Sequence, residues 1–246
     1  MNRSGFGPVG GSKMGDMIPN FDEIDDLHRK YAPSQEAYEL VYRHCMIVAN
    51  MVREICRFRN RLYVQADVLG KDLIQQYTTK APTRLLDTDK AVVGALLHDI
   101  GTYEVINNDG TNGEPVSFNR DRYILHGLAG YDILKAEGVD EEIAQFCRNH
   151  TGVGITKEMV EQQHLPLPVA DYVPRTTEQE IVMYADNFNS KSAPPRFVTA
   201  ARAIQRCAKF GKANEQRMRD LVGIYGEPKG LKEMAEQYHM VLIDAK

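Results

Sequence analysis

Seven histidines carry most of the metal-binding and proton-transfer potential of this 246-residue chain: His28, His44, His98, His126, His150, His164 and His239. His98 is followed directly by Asp99 in the run LLHDIG, residues 96–101. A carboxylate at the end of an apolar segment is rarely buried without a partner. A metal ion satisfies an imidazole and a carboxylate that emerge together. His44 borders an apolar face, His126 stands near the small Ala129 and Gly130, and His150 precedes Thr151-Gly152. Asp186 closes the apolar run IVMYADN. Four histidines and two aspartates, each aimed inward from its own element, suit divalent ions of the iron, manganese or zinc type.

The elements that must position these groups read as helices. Val41, Cys45, Val48, Val52 and Ile55 recur at helical spacing, so a long helix is expected from Ala37 to about Arg59, with Ser34 as its N-cap. Residues 63–85 hold Gly70 and Pro82 and are expected to connect, with one short helix. The apolar segment Thr88–Leu97 should lie centrally, and Gly101 fits a helix stop. Residues 107–113, NNDGTNG, form a turn cluster, read as a loop with a lid as the lesser reading. Further helices are expected over Arg122–Glu137, stopped by Gly138; from Asp140 to about His150; from Thr156; and from Thr176 or Thr177 through Asp186, with Glu180 in a capping box. Two or three more should fill 196–240. No strand-period alternation persists, so the fold class is all-α. The expected organisation is a flexible lead over 1–20, the main helical domain over 21–195, and a C-terminal helical extension over 196–246 packed on the same domain.

Composition is that of an ordinary globular protein: 43% hydrophobic and 26% charged residues, with a formal net charge of -4. That balance, with no Trp and no basic-aromatic stripe, weighs against a nucleic-acid partner. No run approaches the roughly 18 apolar residues of a membrane span, and no signal peptide is evident. Cys45, Cys56, Cys147 and Cys207 are widely spaced, read as buried thiols of a reducing, cytoplasmic setting. His28 in the charged run DEIDDLHRK reads as solvent-facing, and the acidic residues of that segment as a solvated face. His164 falls in a loop and His239 in the last helix.

The order His44, His98-Asp99, His126, His150, Asp186 resembles the HD superfamily of metal-dependent phosphohydrolases, and residues 98–101 are similar to its HDIG variant. The likeness continues through HGLAGYDILKAEGVDEEIAQFCRNHTGVGITKEM to IVMYADN, covers about 36–190, and is closest in wording to small prokaryotic HDIG proteins. A looser similarity is to the subgroup that hydrolyses diadenosine tetraphosphate. The resemblance implies a helical HD-domain bundle in which His44, His98, Asp99 and Asp186 hold one metal. His126 and His150 add a second, with Asp99 bridging and with His98 and Asp99 as the catalytic pair. The cofactors implied are two divalent ions, iron or manganese favoured, with zinc, nickel, cobalt or magnesium as alternatives. The 54-residue interval from His44 to His98 suggests an insertion within 60–85.

The implied chemistry is hydrolysis of a phosphate ester or anhydride of a nucleotide or small phosphorylated metabolite by metal-activated water. Arg122, one helical turn before His126, Thr151 in the loop after His150, and Lys157 at the next helix start are the expected substrate contacts. Lys191 and Arg196 are weaker choices. No G-x-S-x-G or P-loop supplies a different chemistry. Two other classes remain open from the residues alone: a di-iron oxygenase of the HD fold, marked by oxygen consumption without phosphatase activity, and a non-catalytic metal or nucleotide sensor. Residues 196–240 offer enough helical surface for a homodimer contact, and the residues alone leave the oligomeric state open.

Overall fold

A computed structural model of the chain describes residues 17–69 and 81–245, the side chains of 66–69 excepted. The central layer is a pair of helices, α2 (Gln35–Leu69) and α3 (Thr88–Leu97), which pack along each other. Ser34 caps α2, its Oγ accepting from the Ala37 amide at 3.0 Å. The expected stripe Val41, Cys45, Val48, Val52 and Ile55 is fully buried. This helix runs past the expected end at Arg59, so residues 63–69 continue it instead of connecting. Of the rest of the expected insertion, residues 70–80 lie outside the described residues, and 81–85 form a non-helical connection to the next helix. Asp87 caps α3 through the Lys90 amide.

Around this pair sit α1 (Phe21–Tyr31), α4 (His126–Ala136), α5 (Glu141–Arg148), α6 (Lys157–Gln162) and α7 (Thr177–Asp186). Their caps Asn20, Asp140, Thr156 and Thr176 each accept from a first-turn amide. Gly138, at φ +76°, ends α4 as expected. The expected capping box with Glu180 does not form, because the residue three past Thr176 is Gln179; Glu180 instead bonds Arg217 and the Tyr225 hydroxyl. The expected helix Arg122–Glu137 is also split. A 3₁₀ turn (Tyr123–Leu125) precedes α4, and Arg122 is only its exposed cap, no longer one regular turn from His126.

Gly101 is not a helix stop. Helix α3 ends at Leu97, and Gly101 lies inside a 3₁₀ helix (Ile100–Val105) laid against α4. A Cβ there would stand 2.1 Å from both the Gly130 amide nitrogen and the His126 carbonyl oxygen. The glycine is required by backbone approach, not by a left-handed turn.

Three helices follow, as expected: α8 (Ala200–Ala208), α9 (Lys212–Tyr225) and α10 (Leu231–Gln237). Met218, Leu221, Tyr225 and Leu231 join the same buried cluster as α2 and α3. The fold is all-α with two small sheets that the sequence did not signal. Strand β1 (Ile106–Asn108) pairs antiparallel with β2 (Ser117–Phe118) around the expected turn. Strand β4 (Arg196–Val198) pairs antiparallel with β3 (Asn189–Ser190) and parallel with β5 (Val241–Ile243). Of the expected N-terminal lead, residues 1–16 lie outside the described residues, and Met17 bridges to Val139. The four cysteines are free and buried. Among the described residues no helix is long and apolar enough to cross a membrane.

His28 is the opposite of the expectation: it is fully buried. Its Nε2–H donates to the Leu96 carbonyl at 2.8 Å, and its Nδ1 accepts from the Tyr103 hydroxyl at 2.9 Å. Both partners suit the neutral ring. Burial holds its pKa down at about 4 against 6.5. The unfolded chain therefore binds this proton first as pH falls, so acidification from 6.5 to about 4 should remove about 3 kcal/mol of stability. Denaturant midpoints across that window check it, and His28→Gln should flatten the slope.

His239 is not in the last helix. It follows the α10 cap at φ +54°.

Candidate metal centre

Helix α2 delivers His44, the end of α3 delivers His98 and Asp99, the start of α4 delivers His126, the end of α5 delivers His150, and the last residue of α7 is Asp186. All six converge. His44, His98, Asp99 and Asp186 form one group, and Asp99, His126 and His150 another, with ligand atoms in each within 4.8 Å of one another. Asp99 belongs to both groups and divides its oxygens between them. Oδ1 lies 3.5 Å from Nε2 of His126 and of His150; Oδ2 lies 3.1 Å from Nε2 of His44 and 3.6 Å from Nε2 of His98. Asp186 Oδ1 stands 2.9 Å from His44 and 3.5 Å from His98.

Each imidazole is fixed from behind. The Nδ1–H of His98, His126 and His150 donates to the carbonyl three residues earlier, at Ala95, Tyr123 and Cys147. His44 Nδ1–H donates to Asn189 Oδ1 at 2.8 Å, and the Asn189 amide donates to Arg196 O. A carbonyl only accepts, so in these histidines the second ring nitrogen, Nε2, faces the centre. This is how proteins orient imidazole ligands. Thr102 Oγ1 donates to Asp99 Oδ1 at 2.9 Å.

The donor set fits a divalent metal ion. His98 Nε2 is fully buried with no hydrogen-bond partner. The Nε2 atoms of His126 and His150 face each other at 2.9 Å, although both rings donate through Nδ1. Burial and the neighbouring His150 hold the His126 pKa down at about 3, so its inward nitrogen is a bare lone pair at neutral pH. Buried nitrogens of this kind call for a cation. Imidazole with carboxylate suits first-row metals.

A positive group of the chain's own, Lys191, balances the carboxylate of Asp99. Lys191 is buried, and its ammonium bonds Asp99 Oδ2 and lies 5.6 Å from the centre of the Tyr123 ring. Burial opposes ionisation of Asp99, but Lys191 and the histidines outweigh it and hold the carboxyl well below its usual range. Burial opposes protonation of His44 too, yet Asp186 and Asp99 raise its pKa. Lys191 was only a minor sequence choice; no local signal marks a lysine in the polar run NSKS as buried.

A cavity of about 490 Å³ opens onto this centre, reached by His126, Asp186 and Lys191. Thr151 lines it. Arg122 and Lys157 are exposed and do not line it; Arg120 and Arg206 do. Arg196 lies in β4, outside the cavity lining.

Residues 41–190 match the HD domain family. The chain belongs to that family. The match spans the six convergent residues, and the HD assignment carries the phosphohydrolase class expected from the sequence. Among curated proteins, a tRNA (cytidine(56)-2'-O)-methyltransferase of Picrophilus torridus is 42% identical over 104 residues, covering 42% of this chain and 25% of the relative. An uncharacterized protein of Methanocaldococcus jannaschii is 39% identical over 102 residues, 42% of this chain and 50% of the relative. The HD-domain chain thus spans a quarter to a half of the length of these relatives. Among solved structures, the HD domain of the Listeria monocytogenes phosphodiesterase PgpH is 18% identical with a TM-score of 0.44, covering 88% of this chain and 99% of that one. The same domain in complex with cyclic-di-AMP is 17% identical with the same score, covering 83% and 96%.

Proposed function

We propose that this HD-domain protein hydrolyses a phosphate ester or anhydride of a nucleotide or other small phosphorylated metabolite. The observation that carries the reading is Asp99, whose two oxygens each face a separate imidazole group. A carboxylate so placed bridges two sites. In this reading His44, His98, Asp99 and Asp186 hold one divalent ion, and Asp99, His126 and His150 hold the other. Two such cations, when bound, bring the pKa of a water toward neutrality and offset charge on phosphoryl oxygens. The chain's own residues do the rest. Their Nδ1 bonds keep the imidazoles in ligand orientation. Lys191, Arg120 and the Thr151 hydroxyl supply donors for phosphoryl oxygens at the cavity wall. Asn187, whose amide nitrogen bonds Gly152 O at 2.7 Å and Met183 O at 2.9 Å, ties the Thr151 loop to α7.

The test uses the purified full chain supplied with manganese or ferrous iron and a panel of nucleotides and sugar phosphates. Phosphate release, abolished by a chelator that also lowers the melting temperature, is expected. Bound metal with no release from any substrate overturns the reading.

A further inference from the structure

The cavity beside the metal centre extends past the residues that match the HD domain. Arg206 and Cys207 of α8, Phe210 in the following turn and Asn214 of α9 form one wall. Met159 and Leu165 contribute apolar surface to the same cavity. Phe210 is 69% exposed. It makes no ring or cation contact among the described residues, although aromatic side chains elsewhere in the fold pair repeatedly. Its position is set locally: its amide bonds Cys207 O at 3.0 Å, and Gly211 after it takes φ +111°, a conformation that favours glycine. Arg206, on the same wall, has no ion pair among the described residues.

Unlike the other exposed apolar side chains of the fold, Phe210 lines the cavity that opens onto the metal centre, so a bound molecule can cover its ring and gain by the burial. Beside an unpaired guanidinium and a metal centre suited to phosphoryl groups, the matching occupant has a flat π surface joined to phosphate. We infer that Phe210 is the stacking platform for the base of a nucleotide substrate, so that selectivity for the nucleoside part is set by the segment after residue 190. The inference rests on the reading of the cavity as a phosphorylated-substrate site. Stacking of a base on an aromatic side chain is tolerant of base identity and substantial in strength. The platform therefore selects nucleotides over sugar phosphates more than one base over another.

The test separates binding from turnover. Calorimetry with the methylene-bridged analogues of adenosine and guanosine diphosphate, on the manganese-loaded full chain, reads the inference directly. Phe210→Ala should weaken both analogues about tenfold, and Phe210→Trp should restore them. In turnover, the loss should appear in KM, not kcat, and the preference for a nucleotide over ribose 5-phosphate should fall by a similar factor. Failure of the wild type to bind either analogue overturns the inference, as does unchanged affinity in Phe210→Ala. Binding that depends on Phe210 without any hydrolysis supports the inference while removing the proposed function.

Discussion

If the proposed two-ion reading holds, Asp99→Ala should lower turnover by about 10³-fold and strip metal from both groups in a single step. Every other ligand serves one group, whereas Asp99 is shared by both. The same substitution should also destabilise the fold. Lys191 is buried with its ammonium against Asp99 and near the Tyr123 ring. Removing one partner of a buried ion pair leaves an uncompensated charge, at a cost of about 3–5 kcal/mol. Asp99→Ala with Lys191→Met should recover most of that stability while metal content stays low. Elemental analysis, phosphate release and denaturant melts of the two variants separate the effects. If Asp99→Ala retained half the metal, the bridging role would be wrong.

Gly101→Ala is expected to cost about 3 kcal/mol, because overpacking here meets backbone on both sides. The added methyl would sit 2.1 Å from the Gly130 nitrogen and the His126 oxygen, and neither can rotate away. The 3₁₀ helix and α4 would have to separate, and His126 would move with α4. Both a lower melting temperature, by about 6–12 °C, and weaker metal binding should follow. Gly223→Ala gives the contrast. Gly223 lies within α9 with open space where a methyl would project, so alanine should stabilise the fold by up to about 1 kcal/mol. Thermal melts of the pair should therefore shift in opposite directions.

The six convergent residues were legible because His98-Asp99 ends an apolar helix and because their order follows a known pattern. The helix starts were legible for a local reason: Ser34, Asp140, Thr156 and Thr176 each satisfy amides two or three residues on. His28 was misread because charged neighbours on the outer face of α1 mask its position. Ile24 and Leu27 were the signal available, since 24, 27 and 28 share one side of a helix and all three are buried. The strands are two or three residues long, too short for any alternation to announce them, and β5 pairs with a strand more than forty residues away. Lys191 and Phe210 lie in polar or charged stretches whose role depends on what the chain brings beside them. Arg122 failed as a cavity residue because a change from 3₁₀ to α geometry at His126 altered the register that helical spacing assumed.

The parallel pairing of β4 with β5 has a consequence for biosynthesis. Asn189, which orients His44, sits in β3 opposite Phe197, and Phe197 in turn pairs with Leu242. A ribosome delivers Leu242 nearly two hundred residues after His44. The first imidazole therefore gains its full supporting frame only once Leu242 has been made, and a nascent chain that captures metal before then does so with His44 incompletely braced.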